Sequence, residues 1–303
     1  MKVTNPECYW LALAHLPGVG GETVKRWLVR LGSVEAMFAA ADLTLLALPR
    51  FTPVLLAQLR TLTPERLEAE WQQLTQAGIR LLTWDDPTYP ALLQRISSAP
   101  PVLFIQGEWW PTDESAVAIV GTRQASDAGL RLARCLGKEL AERGLTVVSG
   151  LASGIDTQAH WGALQAPRGR TLAVLGSGLQ AIHPPGNEAL AQQIRTRGAL
   201  LSEVQPTALV SNTQLVARDR LISGLSQALI VVEAPAKSGA LYAAANAQKQ
   251  DRLLFAVPGT AGCEALIRQG AIPLTPSTLD MDHLSRQIRA YTLPARPLAI
   301  PLL

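Results

Sequence analysis

Cysteine is scarce in this chain of 303 residues, with 3 in all; aromatic residues make up 5% and charged residues 17%. No apolar run approaches the roughly 20 residues that a membrane-spanning helix needs. Each shortage excludes something. Cys8, Cys135 and Cys263 share no short spacing with one another or with the 4 histidines, which argues against a zinc site and a disulfide framework and fits a reducing cytoplasm. Like charges never gather into blocks of about five or more, the pattern of a disordered basic tail. Lys2 followed by the short apolar run 8–13 has the look of a secretory leader, but Asn5, Pro6 and Glu7 break its order. The chain therefore reads as neither secreted nor membrane-inserted.

What is present is a hydrophobic fraction of 48%, enough for about two domains with a sizeable core, and a net charge of +3. That small charge is unevenly spread. Residues 81–116 carry 1 basic and 5 acidic side chains, whereas 117–272 carry 15 and 10. The basic surplus lies in one segment.

Four regions follow from pattern. Residues 1–78 repeat apolar side chains at three- and four-residue spacing, as in Val24, Trp27, Leu28 and Leu31, and predict a small all-helical domain of helix-hairpin-helix (SAM-like) type. Its loop Leu16-Pro17-Gly18-Val19-Gly20-Gly21 has the glycines of a phosphate-contacting hairpin, though any tight helix connection also needs them. Residues 79–116 are acidic and proline-rich and predict an extended lead-in with one or two short strands. Residues 117–272 alternate short aliphatic runs with helical stretches, the signature of an α/β, doubly wound, mostly parallel Rossmann-like sheet, with strands at 117–120, 145–149, 171–175, 199–203, 228–233 and 253–257 and a closing helix at 263–269. Residues 273–303 form a short proline-containing tail.

In such sheets ligands bind beyond the carboxyl ends of the strands, and here those ends carry phosphate-binding parts. The first strand leads to Gly121-Thr122-Arg123-Gln124-Ala125-Ser126, with a glycine for close approach, an arginine fork and a helix-capping serine. The second leads to Ser149-Gly150-Leu151-Ala152-Ser153-Gly154, rich in amide and hydroxyl donors. Near the fifth lie Arg218-Asp219-Arg220 and Lys237-Ser238-Gly239. The run Gly176-Ser177-Gly178-Leu179-Gln180-Ala181 spells a dinucleotide fingerprint, but His183-Pro184-Pro185-Gly186 stops the helix it requires, which leaves a loop reaching over the site. Asp156 and His160, four residues apart on a helix, read as a polar pair, since no serine or cysteine nucleophile is placed to use them.

Taken in order, these motifs resemble the DNA-processing protein A family (DprA, also called Smf). The resemblance rests on Ala118-Ile119-Val120-Gly121-Thr122-Arg123, Val147-Val148-Ser149-Gly150-Leu151-Ala152-Ser153-Gly154-Ile155-Asp156, Leu201-Ser202-Glu203, Arg218-Asp219-Arg220-Leu221-Ile222-Ser223-Gly224, Val232-Glu233-Ala234 with Ser238-Gly239, and Val257-Pro258-Gly259, within about Trp84 to Ala271. It implies a non-enzymatic, cofactor-free, cytoplasmic protein of natural transformation that binds and shields single-stranded DNA and loads the RecA recombinase. It also implies a homodimer and contact with single-strand-binding protein. By motif, DNA would meet Gly121, Arg123, Ser126, Ser149, Gly150, Ser153, Gly154, Arg218, Arg220, Lys237, Ser238 and Gly239.

Two departures stand out. Where the family usually has F-P-x-R-N-R, this chain has Leu215-Val216-Ala217-Arg218-Asp219-Arg220, with a carboxylate between the arginines and no aromatic to stack on a base. The roughly 30 residues after Ala271 are too few for the winged-helix domain that ends many relatives. Two other functions remain open at this stage. Pro258-Gly259-Thr260-Ala261-Gly262-Cys263-Glu264 faintly resembles the signature of Rossmann-type nucleotide phosphoribohydrolases, with Glu203, Glu233 and Asp156 as the available acids or bases. A protein–protein scaffold without DNA binding is the second.

Overall fold

The computed structural model describes residues 3–294. Six short helices come first: α1 (Glu7–Ala14), α2 (Gly21–Leu31), α3 (Val34–Ala39), α4 (Asp42–Leu46), α5 (Pro53–Thr61) and α6 (Pro64–Gln76). Thr52 and Thr63 cap the last two, accepting from the N–H groups of Leu55 and Arg66, and each is followed by a proline at the position where an N–H would be unpaired anyway. The apolar run 8–13 is buried throughout in α1, which packs against α6 and the edge of the sheet. Gly21 lies so near the connector that a Cβ there would stand 2.0 Å from the Ala99 carbonyl oxygen, a packing reason for the glycine that needs no ligand.

The remaining elements are β1 (Ile79–Thr83), α7 (Ala91–Gln94), β2 (Val102–Gly107), β3 (Ala116–Val120), α8 (Asp127–Glu142), β4 (Thr146–Ser149), α9 (Ile155–Gln165), β5 (Thr171–Leu175), α10 (Glu188–Arg197), β6 (Gly198–Ser202), α11 (Asn212–Gly224), β7 (Ala228–Val231), α12 (Ala240–Lys249), β8 (Leu253–Ala256), α13 (Ala261–Arg268), β9 (Ile272–Pro273) and α14 (Met281–Ala290). They build one sheet in the order β1-β2-β6-β5-β4-β3-β7-β8-β9. All pairings from β6 to β9 are parallel, and β2 runs against both its neighbours. The fold is therefore α/β with a mostly parallel sheet, as the aliphatic runs indicate.

Alternation along β3 shows why both faces are covered. Val117 and Ile119 join a core with Leu136 and Leu140 of α8 and Ala159 of α9, while Ala118 and Val120 point the other way into a core with Leu221 of α11 and Ala244 of α12. The second core runs on without a break into the front helices, through Leu82, Leu103 and Phe104 to Trp10 and Trp27. Segment 79–116 thus contributes two strands to the sheet itself, because Val102, Leu103, Phe104 and Ile105 are all buried. Asp113, fully buried after β2, anchors this edge with a two-point pair to Arg170, Nε to Oδ1 at 2.8 Å and Nη2 to Oδ2 at 2.7 Å.

The tail holds more helix than its prolines suggest. In α14 the apolar Leu284 and Ile288, one turn apart, are buried in the α8 side of the sheet. Residues 295–303 of the expected tail, and Lys2, lie outside the described residues.

Candidate functional site

Strand order reverses at β3. The chain proceeds from β3 outward through β4, β5 and β6, then returns to place β7 on the opposite flank of β3, so the loops after β3 and β7 diverge and open a crevice. A cavity of about 470 Å³ fills this crevice. Gly121 and Arg123 form its wall after β3, Lys237, Ser238 and Gly239 its wall after β7, and Leu215, Arg218 and Asp219 its third side from α11.

The two outer cations have the character of ligand-binding groups. Arg123 and Lys237 are exposed, and neither takes part in a hydrogen bond or ion pair with another described residue. At the N-terminus of α12, Gly239 supplies no capping side chain, but Ser238 Oγ accepts from the Ala240 N–H at 3.3 Å and the Leu241 and Tyr242 N–H groups donate to the Ser238 and Gly239 carbonyl oxygens, so the positive end of the helix dipole and the Ser238 hydroxyl border the cavity. Anions of phosphate size suit such a wall.

Arg218 works differently. It is 5% exposed, and its guanidinium donates to the carbonyl oxygens of Gly150 at 2.7 Å and of Val174 and to the Asp219 carboxylate, Nε to Oδ1 at 3.2 Å. Gly150 is glycine for this reason, since a Cβ there would meet the guanidinium at 2.5 Å. Asp156 lies close enough to feel the same charge and accepts from the Gly150 N–H at 3.1 Å. Arg218 thus knits β4, β5 and α11 together behind the cavity while one side of it remains in the lining.

Burial raises both carboxyls of this cluster above their ordinary range, that of Asp219 to about 6, where Asp156 adds to the rise and Arg218 and then Arg123 oppose it. An anion entering the cavity meets a carboxylate at neutral pH and a neutral acid below it. Affinity for an anionic ligand should therefore increase as pH falls from about 7 to 5, by roughly three- to tenfold for the loss of one nearby negative charge. Asp219→Asn should flatten that profile at its tight end, a result read from binding titrations at several pH values; an unchanged profile would remove Asp219 from the site.

The other candidates are dispersed. Arg220 does not line the cavity. Its Nη1 and Nη2 donate to both oxygens of Glu203 at 2.6 and 2.5 Å, and its Nε donates to the Ser98 carbonyl oxygen at 3.2 Å. The reason is helical: residues 218 and 220 lie about 200° apart around α11, so only one can face the cavity. Ser126 caps α8, accepting from the Gly129 N–H at 3.0 Å while its own Oγ donates to Glu233 at 3.0 Å, and it borders a separate cleft of about 410 Å³. Ser149 is fully buried and donates to the Ile119 carbonyl oxygen at 2.6 Å. Gly154 caps α9, and Gly150 and Ser153 border a small recess beside the main cavity, shared with Arg123, His183 and Pro184. The loop carrying His183 and Pro184 does reach over the site, and no helix opens at Gly178.

Asp156 and His160 do not pair with each other. His160 Nδ1 meets Thr171 Oγ1 at 2.7 Å, and burial pushes its imidazole down to about 3, which keeps it neutral. Glu203, Glu233 and Asp156 are each bonded within the fold as described, to Arg220, Ser126 and the Gly150 amide. Thr122, Gln124, Asn212 and Tyr242 also line the cavity, and the motifs did not single them out as binding residues. The signal that would have found Tyr242 is its place on the first turn after Gly239.

These elements define a doubly wound α/β protein with an anion-receptive cavity at its topological switch point. The model of the family described as DNA recombination-mediator protein A matches residues 80–284, and the chain belongs to that family, as its motifs indicate. It is 38% identical over 281 residues to the protein Smf of Synechocystis, covering 88% of this chain and 70% of that one. To the DNA processing protein DprA of Streptococcus pneumoniae it is 33% identical over 277 residues, covering 89% and 95%. The X-ray structure of the Streptococcus pneumoniae protein superposes with a TM-score of 0.77 at 31% identity, over 90% of this chain and 95% of that one. A Helicobacter pylori DNA processing protein A, described for its unique single-stranded DNA binding mode, superposes with a TM-score of 0.61 at 27% identity, over 69% and 96%.

Proposed function

We propose that this protein binds single-stranded DNA in the switch-point cavity and acts, without catalysis or cofactor, as a recombination mediator. One observation carries the reading: two exposed, unpaired cations, Arg123 and Lys237, face a common cavity beside the positive end of the α12 dipole. A single strand tracks through such a groove by its phosphates. Arg123, Lys237, Ser238 and the amides of Gly121 and Gly239 contact the backbone, and Arg218 holds the cavity wall. The protein shields incoming DNA during natural transformation in the cytoplasm, passes it to RecA, works as a homodimer and cooperates with single-strand-binding protein.

Glu203 and Glu233 do not line the cavity, and the two carboxyls that do, Asp156 and Asp219, are held by the Gly150 N–H and by Arg218, which speaks against nucleotide hydrolysis by a free acid or base. Fluorescence anisotropy with a labelled single strand and its duplex tests the proposal. Tighter binding of the single strand supports it; RecA association without affinity for DNA would favour the scaffold function instead.

A further inference from the structure

Aromatic side chains are few in this chain, and nearly all are spoken for. Among the described residues only two aromatics are prominently exposed, Trp110 and Tyr242. The Arg170 guanidinium covers the Trp110 ring at 3.9 Å from its centroid. Tyr242 has no such cover. It is 54% exposed, lines the switch-point cavity, and its ring and hydroxyl make no ring contact or side-chain hydrogen bond with another described residue.

Its setting is specific. Tyr242 stands three residues after Gly239, on the first turn of α12, next to Lys237 in the same lining. Leu215, at the position where the family's motif usually carries its aromatic, lines the same cavity but offers no π-face, and Val216 beside it is 42% exposed. An aromatic face bordered by aliphatic side chains and flanked by cations is what an unpaired base requires, because stacking uses any base's π-face while neighbouring charges take the phosphates.

We propose that Tyr242 is a base-stacking residue of this cavity, holding one unpaired base against its ring while the flanking phosphates lie on Lys237 and Arg123. The proposal rests on the DNA-binding function proposed above and adds to it the element that reads bases. A base inside a duplex cannot present its face to the ring, so Tyr242 contributes to preference for single strands. The cavity's exposed π-face therefore lies on α12, not at Leu215 of α11.

The test compares wild type, Tyr242→Ala and Tyr242→Phe in binding to a thymidine oligonucleotide and to an abasic strand of the same length. Tyr242→Ala should weaken binding to the thymidine strand by roughly five- to 150-fold, with Tyr242→Phe close to wild type. The abasic strand should bind all three alike, and the salt dependence should not change, since no phosphate contact is lost. Equal thymidine affinity in wild type and Tyr242→Ala, or an equal loss on the abasic strand, would overturn the stacking role and leave DNA binding intact. A wild type that binds neither strand would overturn DNA binding itself.

Discussion

Arg218→Met is expected to lower the stability of the fold by roughly 3–5 kcal/mol, and its melting temperature by on the order of 10 °C. The side chain it removes is 5% exposed and satisfies the carbonyl oxygens of Gly150 and Val174 and the Asp219 carboxylate. Methionine fills much of the same volume, so the loss is electrostatic. Two buried carboxyls, Asp156 and Asp219, remain without their cation, along with two carbonyls without a donor.

The pH dependence identifies the cause. Both carboxyls already sit above their ordinary range in the native protein, so the stability they contribute is present below their unfolded value near 4 and is lost as pH rises through their folded values, about 6 for Asp219. Without Arg218 those folded values rise further. Thermal melts of the variant should therefore approach wild type as pH is lowered from 7 toward 5, and adding Asp219→Asn should recover part of the loss at pH 7. A variant as stable as wild type at pH 7 would show that the cluster is not what joins α11 to β4 and β5.

The second large effect concerns affinity. Arg123→Ala with Lys237→Ala should weaken single-strand binding about 25-fold at 0.1 M salt, because each phosphate contact on a single strand carries a salt exponent near 0.7, or about a factor of five per contact at that concentration. Both side chains are exposed and unpaired, so the melting temperature should hold. Arg220→Ala supplies the contrast: its guanidinium belongs to Glu203 and Ser98, away from the cavity, and affinity should stay at the wild-type value. Equal losses in the two variants would mean that charge acts through the whole surface rather than through the cavity.

Much of the fold was legible because central parallel strands have nowhere to hide polar residues. Ala116–Val120 and Thr171–Leu175 are buried along their whole length, and such runs mark themselves. Strands β1 and β2 were harder. Prolines 87, 90, 100 and 101 dominate their surroundings, and nothing local announces that β2 will lie antiparallel beside β6, a partner about a hundred residues away. The helix α14 was hidden in the same way, its Leu284 and Ile288 spaced one turn apart amid prolines.

The site was legible as loops and illegible as directions. Glycines and serines at the strand ends marked the right end of the sheet, and Ser126 caps its helix as its sequence suggested, yet Ser149 turns into the core and Ser126 borders a cleft other than the main cavity. Arg218 and Arg220 looked like a matched pair only while their segment was unassigned, since in a helix a spacing of two separates them. Tyr242 carried no motif at all. Its meaning comes from strand order, which brings the start of α12 opposite Arg123.

The most direct test of the account is the salt dependence of single-strand affinity, measured from about 50 to 200 mM for wild type and for the Arg123→Ala, Lys237→Ala double variant. Wild type should bind the single strand more tightly than the duplex, with a linear log–log decline that becomes shallower by about 1.4 in the variant, two phosphate contacts having been removed. Identical slopes in the two proteins, or no single-strand affinity in wild type, would contradict the placement of DNA in the switch-point cavity.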